Sequence, residues 1–569
     1  MSMRSKCAVF AWAVLLAVTP CFAEQAELVL INGRIATVDK ANRIAQAVAI
    51  KGDRILAVGS GEEIRAYIAA GTKVVDLRGA FAMPGFIESH GHLLSLGRSK
   101  MQLDLTRARS WDDIVAMVAE AAREARPGQW IGGRGWHQDK WDNVPEPNVQ
   151  GLPLHDKLSS AAPRNPVILV HASGHSCLAN AKAMELAGVN KDTKSPGGGE
   201  IVKDASGIPI GAFLENAQDL IYDALNKHEM MMPAAERAAL EEKALDLAQA
   251  DCLAKGVTSF GDAGVSFGTV DMYKRRAEAH TLGVRIYAMV SENNDSLEKR
   301  LSQYKCVGLG DNFLTVRAVK RLIDGALGAR GAWLLAPYAD LTSSTGMCTE
   351  PLPELRRTAE ICIREGFQLC THAIGDRGNR EALDIYQETF AVHPERRDLR
   401  WRIEHAQHID PADIPRFGKL GVIAAMQGIH CTSDAPWVIK RLGTERAEAD
   451  AYAWRKLIDN GAVICNGTDV PVEDGNPIPS FYASVTRRLK DGTTFFAAQR
   501  MTREEALRSY TINGAFAAFE DTIKGSIEPG KLADIVVLSG DLLALPDDDV
   551  PKVRVLMTIV GGRVVIDAR

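Results

Sequence analysis

The sequence has no excess of charge of either sign. Its 67 Lys and Arg residues stand against 72 Asp and Glu, a formal net charge of −5. A nucleic-acid binder needs a basic face, and a basic partner needs an acidic one; neither shows in this balance. Aromatic residues are few, at 6 %. Beyond the N-terminus there is no apolar run long enough to cross a bilayer. Cysteine is sparse, 10 in 569 residues, and no CxxC pair has zinc-finger spacing. Gly132-Gly133-Arg134-Gly135 lacks the following Lys and Ser or Thr of a phosphate-binding loop. No dinucleotide fingerprint opens a helix. What remains is ordinary globular composition, 46 % hydrophobic and 24 % charged. That excludes a disordered chain, a collagen-like repeat and a long coiled coil. The length suits about three or four ordinary domains, or one large barrel with additions.

The N-terminus is a separate object. Arg4 and Lys6 precede the apolar run Cys7 to Val18, and Pro20, Cys21, Phe22 and Ala23 follow. A basic start, a short apolar stretch and a small final residue read as a secretory signal, with cleavage expected after Ala23. The mature chain is then expected to be exported, periplasmic or secreted. A lipoprotein acylated at Cys21 fits less well, because Pro20 sits where a small residue is wanted. Cys7 and Cys21 leave with the signal. Of the other eight cysteines, Cys252, Cys362, Cys370 and Cys465 lie in apolar stretches and read as small core residues. An oxidising compartment would permit one or two disulfides.

Short strand-like runs follow the signal: Leu28 to Ile31, Ile35 to Val38, Ala47 to Ile50 and Ile55 to Val58. Asn32-Gly33 and Gly52-Asp53 read as hairpin turns between them. The C-terminus has the same style, with strands at Asp534 to Leu538, Val555 to Val560 and Arg563 to Ile566 and a Gly561-Gly562 turn. Two β-rich ends predict a small β-sandwich in which the termini meet. The middle alternates strands with helical stretches such as Pro233 to Lys255, Pro353 to Glu365 and Arg380 to Phe390. Strand-like runs begin at Phe86, Val257, Val284, Leu314, Phe367, Leu399, Val422 and Ala462. Eight βα units predict a parallel, closed barrel of α/β class, with a doubly wound open sheet as the alternative. The stretch between the first two strands is too long for one loop. Its helix at Trp111 to Arg126 and strand at Pro166 to His171 mark a subdomain inserted over the barrel mouth. The expected division is 1–23 signal, 24–82 first part of the sandwich, 83–518 a distorted (β/α)8 barrel with an insertion over about 100–250, and 519–569 the second part of the sandwich.

His90 and His92 stand two apart at the end of the first barrel strand, so both imidazoles face one way. Barrel active sites sit at that end, and two imidazoles make half a metal site. Lys320 lies among apolar neighbours, and a lysine facing a barrel interior needs a reason, because burying its charge is costly. His372, His405 and Asp469 each follow a later strand. Singly each reads as structural. Together they gather four histidines, a lysine and an aspartate at the strand ends of one barrel.

These residues lie in Pro84-Gly85-Phe86-Ile87-Glu88-Ser89-His90-Gly91-His92, Val319-Lys320-Arg321-Leu322-Ile323-Asp324-Gly325, and Thr371-His372-Ala373-Ile374-Gly375-Asp376. The pattern continues in Arg402-Ile403-Glu404-His405-Ala406-Gln407, Asn466-Gly467-Thr468-Asp469-Val470-Pro471 and the closing Gly525-Ser526-Ile527-Glu528-Pro529-Gly530-Lys531-Leu532-Ala533-Asp534. Over nearly the whole mature chain the sequence resembles the amidohydrolase superfamily, in its amidohydrolase 3 or YtcJ-like branch, which includes N-substituted formamide deformylases. The resemblance implies that His90 and His92 bind a buried metal and that Lys320, carbamylated, bridges two. It implies that His372 and His405 bind the second metal and that Asp469 contacts the activated water and shuttles its proton. His405 and Asp469 are then the catalytic pair. The cofactor is a divalent metal, expected to be zinc, one or two ions per chain. Glu88, Thr468 and Gly331 depart from the commoner Asp, Ser and Thr of the family, but no ligand is lost.

A second tier is expected to shape the substrate pocket: His175 and Asn180 in the insertion, and Gln427, His430, Asp434 and Trp437 after the seventh strand. Trp136 and Trp141 are candidates for apolar walls, Glu215 for a spare acidic ligand, and His171 reads as structural. The expected activity is hydrolysis of an amide-like C–N bond in a small molecule by metal-activated hydroxide. An esterase or lactonase is the alternative within enzymes. A non-catalytic binding protein would be expected to have lost ligands, and an interaction protein would use the β-rich ends. No nucleic-acid partner is expected, and a homodimer is the default assembly.

Overall fold

The computed structural model describes residues 24–138, 141–171, 176–196, 199–328 and 330–569, and for residue 215 the backbone alone. The expected signal segment and its cleavage site lie outside these residues.

Eight parallel strands form the centre: β1 (Phe86–Gly91), β2 (Val257–Val265), β3 (Arg285–Val290), β4 (Leu314–Leu322), β5 (Gln368–Ala373), β6 (Arg402–His405), β7 (Ile423–Gln427) and β8 (Ile464–Gly467). Each pairs with the next in sequence order. The barrel nearly closes at the upper ends of β8 and β1. There Asp469 N–H donates to His90 O at 2.9 Å and His92 N–H donates to Val470 O at 2.8 Å. A strand with helices outside and packed side chains inside is buried on both faces, which is why most of these strands read as continuous apolar runs. β1 and β6 break that rule with Glu88, Ser89, His90, Arg402, Glu404 and His405, all buried. β6 starts later than the expected Leu399, because Asp398 and Arg400 hold positive φ of 52° and 48° and cannot extend a strand.

The termini form two further sheets. One contains only N-terminal strands. In the other, Ile535–Leu538, Val555–Val560 and Arg563–Asp567 join Phe81–Pro84, Arg34–Ala36 and Ile44–Ala45. Leu28, Leu30, Val48, Ile535, Val537 and Ile559 pack between them as a sandwich core. The Asn32-Gly33 hairpin is corrected: Leu28–Ile31 and Arg34–Ala36 lie in different sheets, and Asn32, at φ 54°, turns the chain from one to the other. Gly52-Asp53 and Gly561-Gly562 do close antiparallel pairs. The sandwich is tied to the barrel by Arg285 at the foot of β3, which donates to both oxygens of Asp534 at 2.7 and 3.0 Å.

After β1 the chain enters helix α1 (Leu93–Lys100) and then the insertion. The insertion is built on a six-stranded sheet whose middle includes Ile131–Trp136 and Val167–His171. Its core is Trp111, Ile114, Trp136, Trp141, Leu158 and Leu169. Trp136 and Trp141 stack on each other at 5.9 Å inside that core. They are therefore corrected from pocket walls to structural residues. The chain returns through helices α2 (Asp219–Met231) and α3 (Ala234–Ala254). α1 lies so close to α3 that a Cβ on Gly97 would sit 1.7 Å from the Ala244 carbonyl oxygen. Among the described residues no helix is long and apolar enough to cross a membrane. The eight cysteines from Cys177 to Cys465 are free thiols, so none of the permitted disulfides forms among them.

Candidate metal centre

The upper ends of the strands bring together all six residues proposed as metal-site groups. His90 is 1 % exposed; its Nε2 lies 3.4 Å from Lys320 Nζ and 3.6 Å from Asp469 Oδ1. His92 Nε2 lies 3.1 Å from the same carboxylate oxygen. The His405 ring is 4.7 Å from that of His90 and 4.4 Å from that of His372. Two sets of donor atoms, each gathered within 4.8 Å, could hold a cation: His90, His92 and Asp469, and His405, His430 and Asp469. Among the described residues, His372 Nε2 and His430 Nε2 are buried without a hydrogen-bond partner. Orphaned polar atoms of this kind are costly unless something absent from the chain itself satisfies them.

The protonation states suit a cation. Burial, reinforced by the Lys320 charge, pushes His90 down to about 4 and His372 down to about 3. Burial also holds His405 well below its ordinary value and lowers Lys320. Burial opposes ionisation of Asp469, but the hydrogen bond from His92 and the facing imidazoles of His90 and His405 win, and the carboxyl is held far below its usual range. The centre thus offers neutral imidazoles and an anionic carboxylate, the forms that ligate metals.

Neighbouring side chains aim these groups. Glu404 accepts from His90 Nδ1, which turns Nε2 to the centre. Gln427 Oε1 takes the proton of His405 Nδ1 at 2.7 Å and turns that ring in the same way. Glu88 accepts from Thr468 N–H at 2.9 Å, from Thr468 Oγ1 at 2.7 Å and from His90 N–H at 3.1 Å, tying β1 to the segment that carries Asp469. Asp324 collects the N–H groups of Trp333, Ile374 and Gly375 at 2.7 to 2.9 Å and fixes the loop after His372. His405 and Asp469 themselves hold positive φ, 72° and 57°. Such backbone costs roughly 1–2 kcal/mol per non-glycine residue, and it clusters where side chains must be aimed.

The second tier divides. His175 lies outside the described residues, as does the side chain of Glu215. Asn180 is corrected: it is fully buried, caps the helix Ala181–Leu186, accepts from Val167 and Ala183 N–H, and donates to Ala162 and Asn165 carbonyls at 2.9 to 3.0 Å. No donor or acceptor is left for substrate. Gln427 Oε1 accepts from His405 Nδ1 and so orients that ring. His430, Asp434 and Trp437 share one face of helix α4 (Gly428–Leu442), four and three residues apart. His430 is one of the side chains that could hold a cation, with His405 and Asp469. Asp434 accepts from Gln407 and Tyr452 at 2.6 Å, and the indole N–H of Trp437 is buried with no partner among the described residues. His171 packs on Trp136 at 4.6 Å within the insertion. Arg402, Glu404 and Asp324 went unassigned in the sequence, although Arg402 and Glu404 stand two apart in a strand, a spacing that puts both on its inner face.

A parallel barrel with histidines and a carboxylate converging at its upper end defines the class of metal-dependent hydrolases. The chain belongs to the amidohydrolase family, type 3, whose model matches residues 73–566. It is 34 % identical to the Arabidopsis thaliana protein LONG AFTER FAR-RED 3, over 97 % of this chain and 94 % of that one. It is 28 % identical to an N-substituted formamide deformylase of Arthrobacter pascens, over 94 % of this chain and 97 % of that one. Among solved structures, a metal-dependent hydrolase from Pyrococcus furiosus superposes with a TM-score of 0.73 at 26 % identity, covering 91 % of this chain and all of that one.

Proposed function

We propose that the protein hydrolyses an amide-type C–N bond in a small organic molecule. The observation that carries this reading is the convergence of His90, His92, Lys320, His372, His405 and Asp469 around buried, unpartnered donor atoms. Likeness to a formamide deformylase supports the choice of bond. Zinc, one or two ions, suits this nitrogen-rich set. Bound there, the cation supplies Lewis acidity and a water acidic enough to ionise near neutrality.

The chain's own residues do the rest. Glu404 and Gln427 hold the imidazoles in the tautomer that presents Nε2. Lys320 is buried and its amine is biased to the neutral form, the form that carbon dioxide carbamylates; the carbamate would add an anionic oxygen donor. Asp469 Oδ1 accepts the proton of the attacking water and returns it to the departing amine. The α4 face of His430, Asp434 and Trp437 borders the substrate. The basic and apolar N-terminus supports export of the mature protein.

Elemental analysis of the purified protein beside Lys320→Ala, with turnover on a panel of N-substituted amides, tests the reading. Two ions falling sharply in the variant, with amide turnover, is the expected result. No metal after reconstitution, or metal without amide cleavage, overturns it.

A further inference from the structure

A second cavity, about 410 Å³, lies at the seam between the insertion and helices α1, α2 and α3, and contains none of the metal-centre residues. Its floor is the sheet of the insertion. There Gly132 pairs with Ile168 and Arg134 with Val170, so these four residues share one face. Gly132 leaves the floor open, since the nearest atom to a Cβ there would be the flexible Gln102 side chain at 3.2 Å. Tyr222, Leu225 and Leu240 supply the facing wall.

Most charges around the cavity are already engaged. Arg98 pairs with Glu241 at 3.6 Å, Arg126 pairs with Glu236, and Arg237 donates to the Met230 and Met232 carbonyls at 3.0 and 2.7 Å. The side chains of Arg134 and Lys243, exposed at the edge of the cavity, make no ion pair or hydrogen bond among the described residues. The indole N–H of Trp130 is buried and has no hydrogen-bond partner among the described residues. Glu229, a lining carboxylate with no cation bound to it among the described residues, is exposed at the rim. Two unspent cations and an orphaned donor over an apolar floor are complementary to an anionic head on an apolar body.

We infer that this cavity is a binding site for a small amphiphilic anion, a medium-chain carboxylate being the simplest, with its head at Arg134 and its chain along Ile168 and Val170. The test is calorimetric titration of the full mature protein with octanoate and octanol, on wild type, Arg134→Gln and Gly132→Leu, each variant matched to wild type in melting temperature. Saturable one-to-one octanoate binding is expected, weakened about tenfold or more in Arg134→Gln and lost when leucine fills the floor. Octanoate that does not saturate, binds Arg134→Gln as wild type, or still binds Gly132→Leu overturns the site. Octanol binding as tightly as octanoate overturns its anion preference.

Discussion

Arg402 and Glu404 stand side by side inside the barrel, with Arg402 Nε and Nη2 each donating to one carboxylate oxygen at 2.7 Å. The pair is buried, and Arg402 also donates to the Ser89 carbonyl at 2.9 Å, one residue before His90. The clamped carboxylate takes the Nδ1 proton of His90. The orientation of His90 thus rests on two residues outside the candidate donor set. Glu404→Gln removes the anion but keeps the shape. Zinc affinity, measured by competition with a chelator, should fall about 10–100-fold. An affinity within about twofold of wild type would show that the carboxylate does not act through His90.

Asp469 Oδ1 lies 3.1 Å from His92 Nε2 and 3.6 Å from His90 Nε2. Asp469→Asn keeps a neutral oxygen donor there and removes the proton acceptor. The expectation is that metal is retained while turnover on a cleavable amide drops about 10²–10⁴-fold. Turnover near the wild-type level, with metal bound, would remove the proton-shuttle role.

Arg285 and Asp534 join the barrel to the sandwich, both nearly inaccessible. Burial alone would raise the Asp534 carboxyl, but the Arg285 charge and hydrogen bonds hold it below 3.8. A lowered carboxyl contributes stability that is fully present above the unfolded value and is lost as pH falls through the folded one. Asp534→Asn should therefore destabilise by ~3–5 kcal/mol at neutral pH, because a buried guanidinium is left unpaired. The gap between variant and wild type should narrow as pH drops below 3.8. Urea midpoints across that range check it; a gap that stays constant with pH would mean that the carboxylate charge contributes nothing.

The barrel was legible because strand runs and helical runs alternate with distinct periods, and the donors because they fall at strand ends. Roles set by distant partners were not legible. His90 and Glu404 are 314 residues apart, and only the closed barrel makes them neighbours. Gln427 reads as a pocket residue because its strand ends at the mouth, and the structure adds a role the sequence did not show, its amide oxygen accepting from His405. Asn180 was readable from local chemistry alone. It precedes Ala181-Lys182-Ala183, and an asparagine ahead of a helical run is a cap before it is a ligand. The seam cavity left no mark in the sequence, since its floor is defined by the register of two strands 36 residues apart, Gly132 against Ile168.

Gly97 links packing to the metal centre. α1 begins one residue after His92, so its position sets where that imidazole points. The helix can approach α3 only because Gly97 has no side chain: a Cβ would stand 1.7 Å from the Ala244 oxygen and 2.3 Å from its carbonyl carbon. That obstacle is backbone in the middle of a 21-residue helix and cannot swing aside. Gly97→Ala must therefore push α1 outward. Overpacking of this kind costs about 1–3 kcal/mol, and the displacement carries His92 away from Asp469. The expected result is a lower melting temperature together with weaker zinc binding. His92→Ala serves as the reference for losing that donor without moving the helix. If Gly97→Ala melts lower but binds zinc as wild type does, α1 does not set the position of His92.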